Sequence, residues 1–235
     1  MVTLNKVLEA EEQFRRYHDK LRQELDEADR HLSVVKDISN ASNKYLQELN
    51  QTPGFWSLTL NAHMSSTLMH LNNLFDKEAE DKHLHMRSFL AFIKKHPEIF
   101  TKEAFERRLR TAGRYDEMGE QFDPQITEEK VNKDIKSLGE LPIPSLRAWR
   151  HKILSHIDKN DIAQGVRIDK KYPVKTRHLV EIIEALDKML NKYSNAFDFS
   201  DHLIGLPMKG EVEYVLEAVK LKETQRKSRQ VTSSR

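Results

Sequence analysis

Residues 54–77 read GFWSLTLNAHMSSTLMHLNNLFDK, and the spacing of their apolar side chains decides the fold class. Trp56, Leu60, Met64, Leu68, Leu71 and Phe75 recur every three or four residues, the period of a helix face and not the two-residue alternation of a strand. The polar positions between them, including Asn61, His63, Ser65, Ser66, His70 and Asn73, carry no acidic or basic side chain before Asp76. A helix of that kind, with little face for bulk water, predicts the inside of a bundle. Upstream, Pro53 and Gly54 separate it from a charged helical stretch, Leu4 to about Leu49, whose apolar stripe runs through Val7, Phe14, Leu21, Leu25, Leu32 and Val35. That stretch reads as one long helix or two placed end to end.

Downstream the same period returns. A helix is expected over His85 to Lys95, ended by Pro97, and a basic helix from an N-cap at Thr101 towards Gly113. Tyr115 to Ile126 reads as a loop, and Thr127-Glu128-Glu129 opens a helix through Val131, Ile135 and Leu138, with acids in the first turn as the helix dipole favours. Pro142 and Pro144 break the chain before a helix that carries Leu146, Trp149, Ile153 and Ile157. Lys159 to Pro173 is a connection in which Val166, Ile168 and Tyr172 could form a minor extended piece. Thr176 to about Ala196 is the clearest helix of the second half, Phe197 to Gly210 is irregular, and Glu211 to about Lys222 is a last short helix. The expected architecture is all-α, a single helical domain over residues 1–222, with residues 223–235 a disordered basic tail.

Composition agrees with a helical protein, because 32% of the 235 residues are charged while Gly and Pro number only seven each. There is no cysteine, which excludes disulfides, thiolate metal sites and cysteine nucleophiles. The first twenty residues lack the continuous apolar core of a signal peptide, and no apolar run approaches the roughly 18 residues that span a bilayer. A soluble cytoplasmic protein is the expectation, with no membrane partner. The formal charge is +2, and residues 223–235 hold four basic side chains against one acid, so the rest of the chain is close to neutral. Polyanion binding would therefore need local patches. Lys102 to Arg114 and Arg167 to Arg177 are two such patches, although the plainer reading of each is a solvated helix face or loop.

The segment LRAWRHKILSHID, Leu146 to Asp158, carries the only constellation that suggests chemistry. Arg150 and His156 could serve metal-free RNA cleavage, the imidazole moving protons and the guanidinium stabilising a negatively charged phosphorane. On an ideal helix the two lie about 120° apart around the axis and about 9 Å apart along it, so one copy does not aim both at one phosphate. Either the helix loosens before His156 or a second copy completes the site across a two-fold axis. Arg147 and His151 share a face, as do Lys152 and His156, and Asp158 could orient an imidazole. The competing reading is an ordinary surface helix with a Leu/Trp/Ile stripe. His83 and His85 lack a third ligand in view, and His63 and His70, seven apart, read as satisfied interior histidines, so neither a metal nor another cofactor is expected.

Arg150-His151-x4-His156 followed by Asp158 resembles the Arg-x4-6-His signature of HEPN domains. The charged N-terminal helix, the Gly54–Lys77 segment, the helix near Phe89 to Ile93 and the late motif together resemble the AbiU-type abortive-infection branch, over roughly Phe14 to Tyr193. The resemblance implies a HEPN-type bundle with additional N- and C-terminal helices, a homodimer with a composite cleft, and metal-independent endoribonuclease activity in phage defence or toxin–antitoxin systems. It implies His156 as general acid and base, Arg150 as the phosphorane stabiliser and His151 as the adjunct polar residue, with Arg147, Lys152 and Asp158 in support. RNA would be the substrate and an antitoxin a further partner. Some toxin members carry a modifiable Tyr where this chain has Asp158. The alternative implied by the same family is a non-catalytic module that binds nucleotide, RNA or a partner protein.

Overall fold

In the computed structural model, residues 3–75, 83–114, 124–142, 175–204 and 210–233 are described. Among them the chain forms α1 (Leu4–Ala41), α2 (Leu46–Leu49), α3 (Pro53–Phe75), α4 (Met86–Lys95), a 3-10 turn (Pro97–Phe100), α5 (Lys102–Thr111), α6 (Glu128–Glu140), α7 (Thr176–Asp198) and α8 (Glu211–Ser233). The all-α class is as expected, and no strand occurs among the described residues.

Helix α1 is the spine. Phe14, Leu21, Ala28 and Val35 recur at seven-residue intervals with His18, Leu25 and Leu32 between them, and all are buried. Such a stripe faces partner helices continuously, and α1 packs against α3, α4, α7 and α8. At its N-terminal end the core is aromatic. Phe14 lies 5.4 Å from Phe89 of α4, 5.4 Å from Phe100 of the 3-10 turn and 4.4 Å from Phe197 of α7, centroid to centroid. Contacts of this geometry contribute beyond their buried area. At the other end, Ala41, Tyr45 and Leu216 form a small separate core that docks α8, closed by a 2.6 Å hydrogen bond from the Tyr45 hydroxyl to Glu217.

The helix starts follow local chemistry. Thr101 and Thr127 cap α5 and α6 by accepting from the Ala104 and Lys130 amides. His85 and Ser88 form a reciprocal capping box at α4, and Gly113, with φ +66°, terminates α5 in the left-handed conformation that glycine adopts without strain.

Two expectations are corrected. The Gly54–Phe75 helix is buried only over its C-terminal half, at Thr67, Leu68, Leu71, Asn72, Leu74 and Phe75. Phe55 and Leu58 are 60% and 72% exposed; α3 packs principally on α1, and of its N-terminal half Trp56 reaches the small core at Ala41, Tyr45 and Leu216. The last helix runs further than expected, since α8 continues past Lys222 to Ser233. No Gly or Pro interrupts Glu211–Ser233, and Glu, Lys, Gln and Arg are good helix formers.

The most consequential polar contact in the core is the pairing of Glu11 with Arg108. Both side chains are buried, and Glu11 also accepts from Arg107. Arg108 further donates Nε to the Phe197 carbonyl at 2.7 Å and sits 3.9 Å from the Phe197 ring centroid. Burial lowers the Arg108 guanidinium to about 10 against the attraction of Glu11, so it stays charged at neutral pH. Removing one partner of a buried pair strands the other charge. Glu11→Ala is expected to destabilise the fold by about 3–5 kcal/mol in urea unfolding, with Glu11→Ala/Arg108→Met recovering much of the loss; a loss in the single variant below about 1 kcal/mol would show the pair to be energetically idle.

Candidate functional site

Arg147, Arg150, His151, Lys152, His156 and Asp158 lie outside the described residues, as do the helix expected from Leu146 and the minor extended piece at Val166 to Tyr172. The segment that holds them joins α6 to α7, and those two helices are fastened to each other. Asp134 of α6 accepts from the Tyr193 hydroxyl at 2.6 Å and from Lys192 Nζ at 2.7 Å, both on α7. Burial, followed by the Asp134 carboxylate, pushes the Tyr193 phenol upward, so it remains a donor.

The basic patch at Lys102–Arg114 is largely committed to internal partners. Arg107 and Arg108 hold Glu11, Lys102 and Arg110 lie 4.0 and 3.8 Å from Glu106, and Arg114 donates to the Phe199 carbonyl at 3.3 Å. Its free face is smaller than the sequence count implies. Of the second patch, Lys175 and Arg177 are described and both are exposed; Arg167, Lys170 and Lys171 are outside.

The histidines are better organised than their sequence suggests. Glu24 and His31 are seven apart on α1, His63 and His70 are seven apart on α3, and the helices run antiparallel, so the pairs meet. His31 Nδ1 lies 2.8 Å from His63 Nδ1. His70 Nδ1 lies 2.9 Å from Glu24, which also accepts from Asn73 at 3.0 Å and pairs with Lys20 at 2.8 Å. The His31 and His70 rings stack with centroids 5.9 Å apart. Two Nδ1 atoms at hydrogen-bond distance hold one proton between them, so one imidazole accepts while the other donates. His63 and His70 are thus satisfied by partners, as expected. His31 and Glu24 were not singled out by periodicity alone; the signal that finds them is the equal spacing on two helices that pack together.

Burial, then the neighbouring His63 and His70, hold His31 below its ordinary value of 6.5. Burial, then His202, do the same for His18, whose Nε2 lies 3.3 Å from the Leu190 carbonyl. Burial opposes charge on Glu24, but hydrogen bonds from Lys20, Asn73 and His70 outweigh it and hold the carboxyl down to about 2. Among the described residues, no three His, Asp or Glu side chains are placed to hold a metal ion. No helix among them is long and apolar enough to cross a membrane.

The profile of the HEPN_AbiU2 family, described as AbiU2, matches residues 11–209 of this chain, a span that includes the Arg150–His156 segment. No curated protein and no solved structure matches it significantly.

The two lowered histidines set the direction of a pH effect. The folded state resists protonating them while the unfolded chain does not, so their stabilisation is complete above about pH 6.5 and is lost as pH falls from there towards their lowered folded values. The Glu24 contribution is lost in a separate window, from its ordinary 4.5 down towards about 2. Urea midpoints are expected to fall on acidification from about pH 7 to about pH 5, and His31→Asn to flatten part of that fall. Midpoints that rise on acidification would reverse the assignment.

Proposed function

Because the chain belongs to the AbiU2 branch of the HEPN family, we propose that it is a metal-independent endoribonuclease whose active site is completed by a second copy of itself. The observation that carries this reading is the co-occurrence of the family match with an intact Arg150-His151-x4-His156 segment inside the matched span. His156 takes the proton of a ribose 2′-hydroxyl, and the resulting oxygen attacks the adjacent phosphorus. Arg150 stabilises the charge that gathers on the non-bridging oxygens of the pentavalent phosphorane. The bond to the 5′-oxygen breaks and that oxygen receives a proton. One strand ends in a 2′,3′-cyclic phosphate and the other in a 5′-hydroxyl, with no change of oxidation state.

His151 orients the phosphate beside Arg150, Arg147 and Lys152 attract the strand, and Asp158 steadies the imidazole. The roughly 120° between Arg150 and His156 on one ideal helix favours a homodimer in which each protomer contributes to a shared cleft. A growth-arrest or phage-defence role, with a neutralising partner protein, follows the branch to which the chain belongs.

Purified protein is expected to cut single-stranded RNA in the presence of EDTA, with Arg150→Ala and His156→Ala each slowing cleavage at least about 100-fold. Cleavage that EDTA abolishes, or variants that cut at the parental rate, would exclude the mechanism. Salt-sensitive RNA binding without cleavage would favour the non-catalytic module instead.

A further inference from the structure

A groove of about 450 Å³ lies between the start of α1 and the end of α5, lined among others by Leu8, Arg15, Arg107, Arg108, Thr111 and Ala112. Its charge is unbalanced. Glu11, which also lines it, is a single buried carboxylate shared by the Arg107 and Arg108 guanidiniums. Glu12, the other acid on the lining, is turned to Arg16 one helical turn along α1. Arg15 is exposed and pairs with no carboxylate among the described residues; its guanidinium lies 5.3 Å from the Phe197 ring, and that of Arg108 lies 3.9 Å from the same ring. Asp198, at the end of α7, adds a further attraction on Arg108 from the α7 side.

Three guanidiniums therefore line the groove, and two of them share the one carboxylate of Glu11. A donor is also left over, since Arg108 Nη2 is buried, on a residue 5% exposed, and has no hydrogen-bond partner among the described residues. Buried donors without an acceptor are uncommon and costly. The remaining lining, Leu8, Thr111 and Ala112, is small or apolar, and Arg107 is partly exposed at its rim. Planar guanidiniums with spare donors are the standard recognition chemistry for tetrahedral oxyanions.

We propose that this groove is a phosphate-binding site, with Arg15 and Arg107 as the solvent-facing clamps and the buried Arg108 guanidinium adding its charge from behind them. The ligand class is a phosphate group, which a free phosphorylated small molecule or the backbone of an RNA strand can each supply. The site stands on its own geometry and does not depend on RNA cleavage. If a strand supplies the phosphate, the groove extends the RNA contact of the proposed ribonuclease to a second point on the bundle.

The test uses the full chain carrying His156→Ala, so that RNA stays intact, and two probes: inorganic phosphate by calorimetry and a single-stranded RNA 12-mer by fluorescence anisotropy over a salt series. With at least one probe, Arg15→Ala is expected to weaken binding about tenfold and Arg15→Ala/Arg107→Ala about 100-fold. The double variant should also lower the slope of log affinity against log salt for RNA by about two. Thr111→Glu, on an exposed position of the rim, should weaken binding at least about tenfold while leaving the thermal midpoint near that of the parent. Loss of phosphate binding with unchanged RNA affinity assigns the site to a small phosphorylated molecule; loss of RNA affinity assigns it to a strand. The proposal is overturned if neither probe binds saturably, or if both bind the parent, the arginine variants and Thr111→Glu alike. Neither overturning result touches cleavage, which is read separately in the chain with His156 intact.

Discussion

The aromatic knot around Phe14 is the contact on which the other features depend. It joins α1, α4, the 3-10 turn and α7 through Phe89, Phe100 and Phe197, and it fixes both the rotation and the height of α1. Truncating such a residue typically costs about 3–5 kcal/mol, but the consequence here is also positional. Glu11 lies one turn before Phe14 and Arg15 immediately after it, so the knot sets where the buried carboxylate meets Arg108 and where the third guanidinium stands. Further along, the same register brings Glu24 and His31 opposite His70 and His63.

The two polar clusters differ in what they spend their charge on. At Glu11 the partners are buried, so the pairing is an all-or-none feature of the fold: intact it holds α5 to α1 and reaches α7, and broken it leaves an uncompensated charge inside. At Glu24 the groups are partly exposed, and the contacts form a hydrogen-bonded chain that joins α1 to α3 over matched seven-residue spacings. The Asp134 contacts to Lys192 and Tyr193 play the corresponding part for α6 and α7, the helices between which the Arg150–His156 segment runs. The two helices that precede and follow that segment in the chain are thus held to each other.

Much of this frame is legible in the sequence because helix period and capping are local. Thr101, Thr127 and Gly113 mark helix ends through hydrogen bonds and backbone preferences that involve only near neighbours. What periodicity cannot show is which faces find partners. The Trp56–Phe75 stripe predicts burial along its whole length, yet cover depends on how far neighbouring helices extend, and Trp56, Leu60 and Met64 are only half-buried. The basic run Lys102–Arg114 looks available for polyanions because its main acid, Glu11, lies 96 and 97 residues before Arg107 and Arg108. The alternating charges after Lys222 resemble a solvated tail, whereas the absence of any breaker lets α8 continue. The Arg/His segment is the reverse case: its significance rests on residue identity and family membership, and not on packing.

The central functional claim is that RNA is cut through its own 2′-hydroxyl by protein groups alone. End-group analysis of the products formed in EDTA tests this most directly. Termini of 2′,3′-cyclic phosphate and 5′-hydroxyl are expected; 3′-hydroxyl and 5′-phosphate termini, which require attack by water instead, would exclude the mechanism.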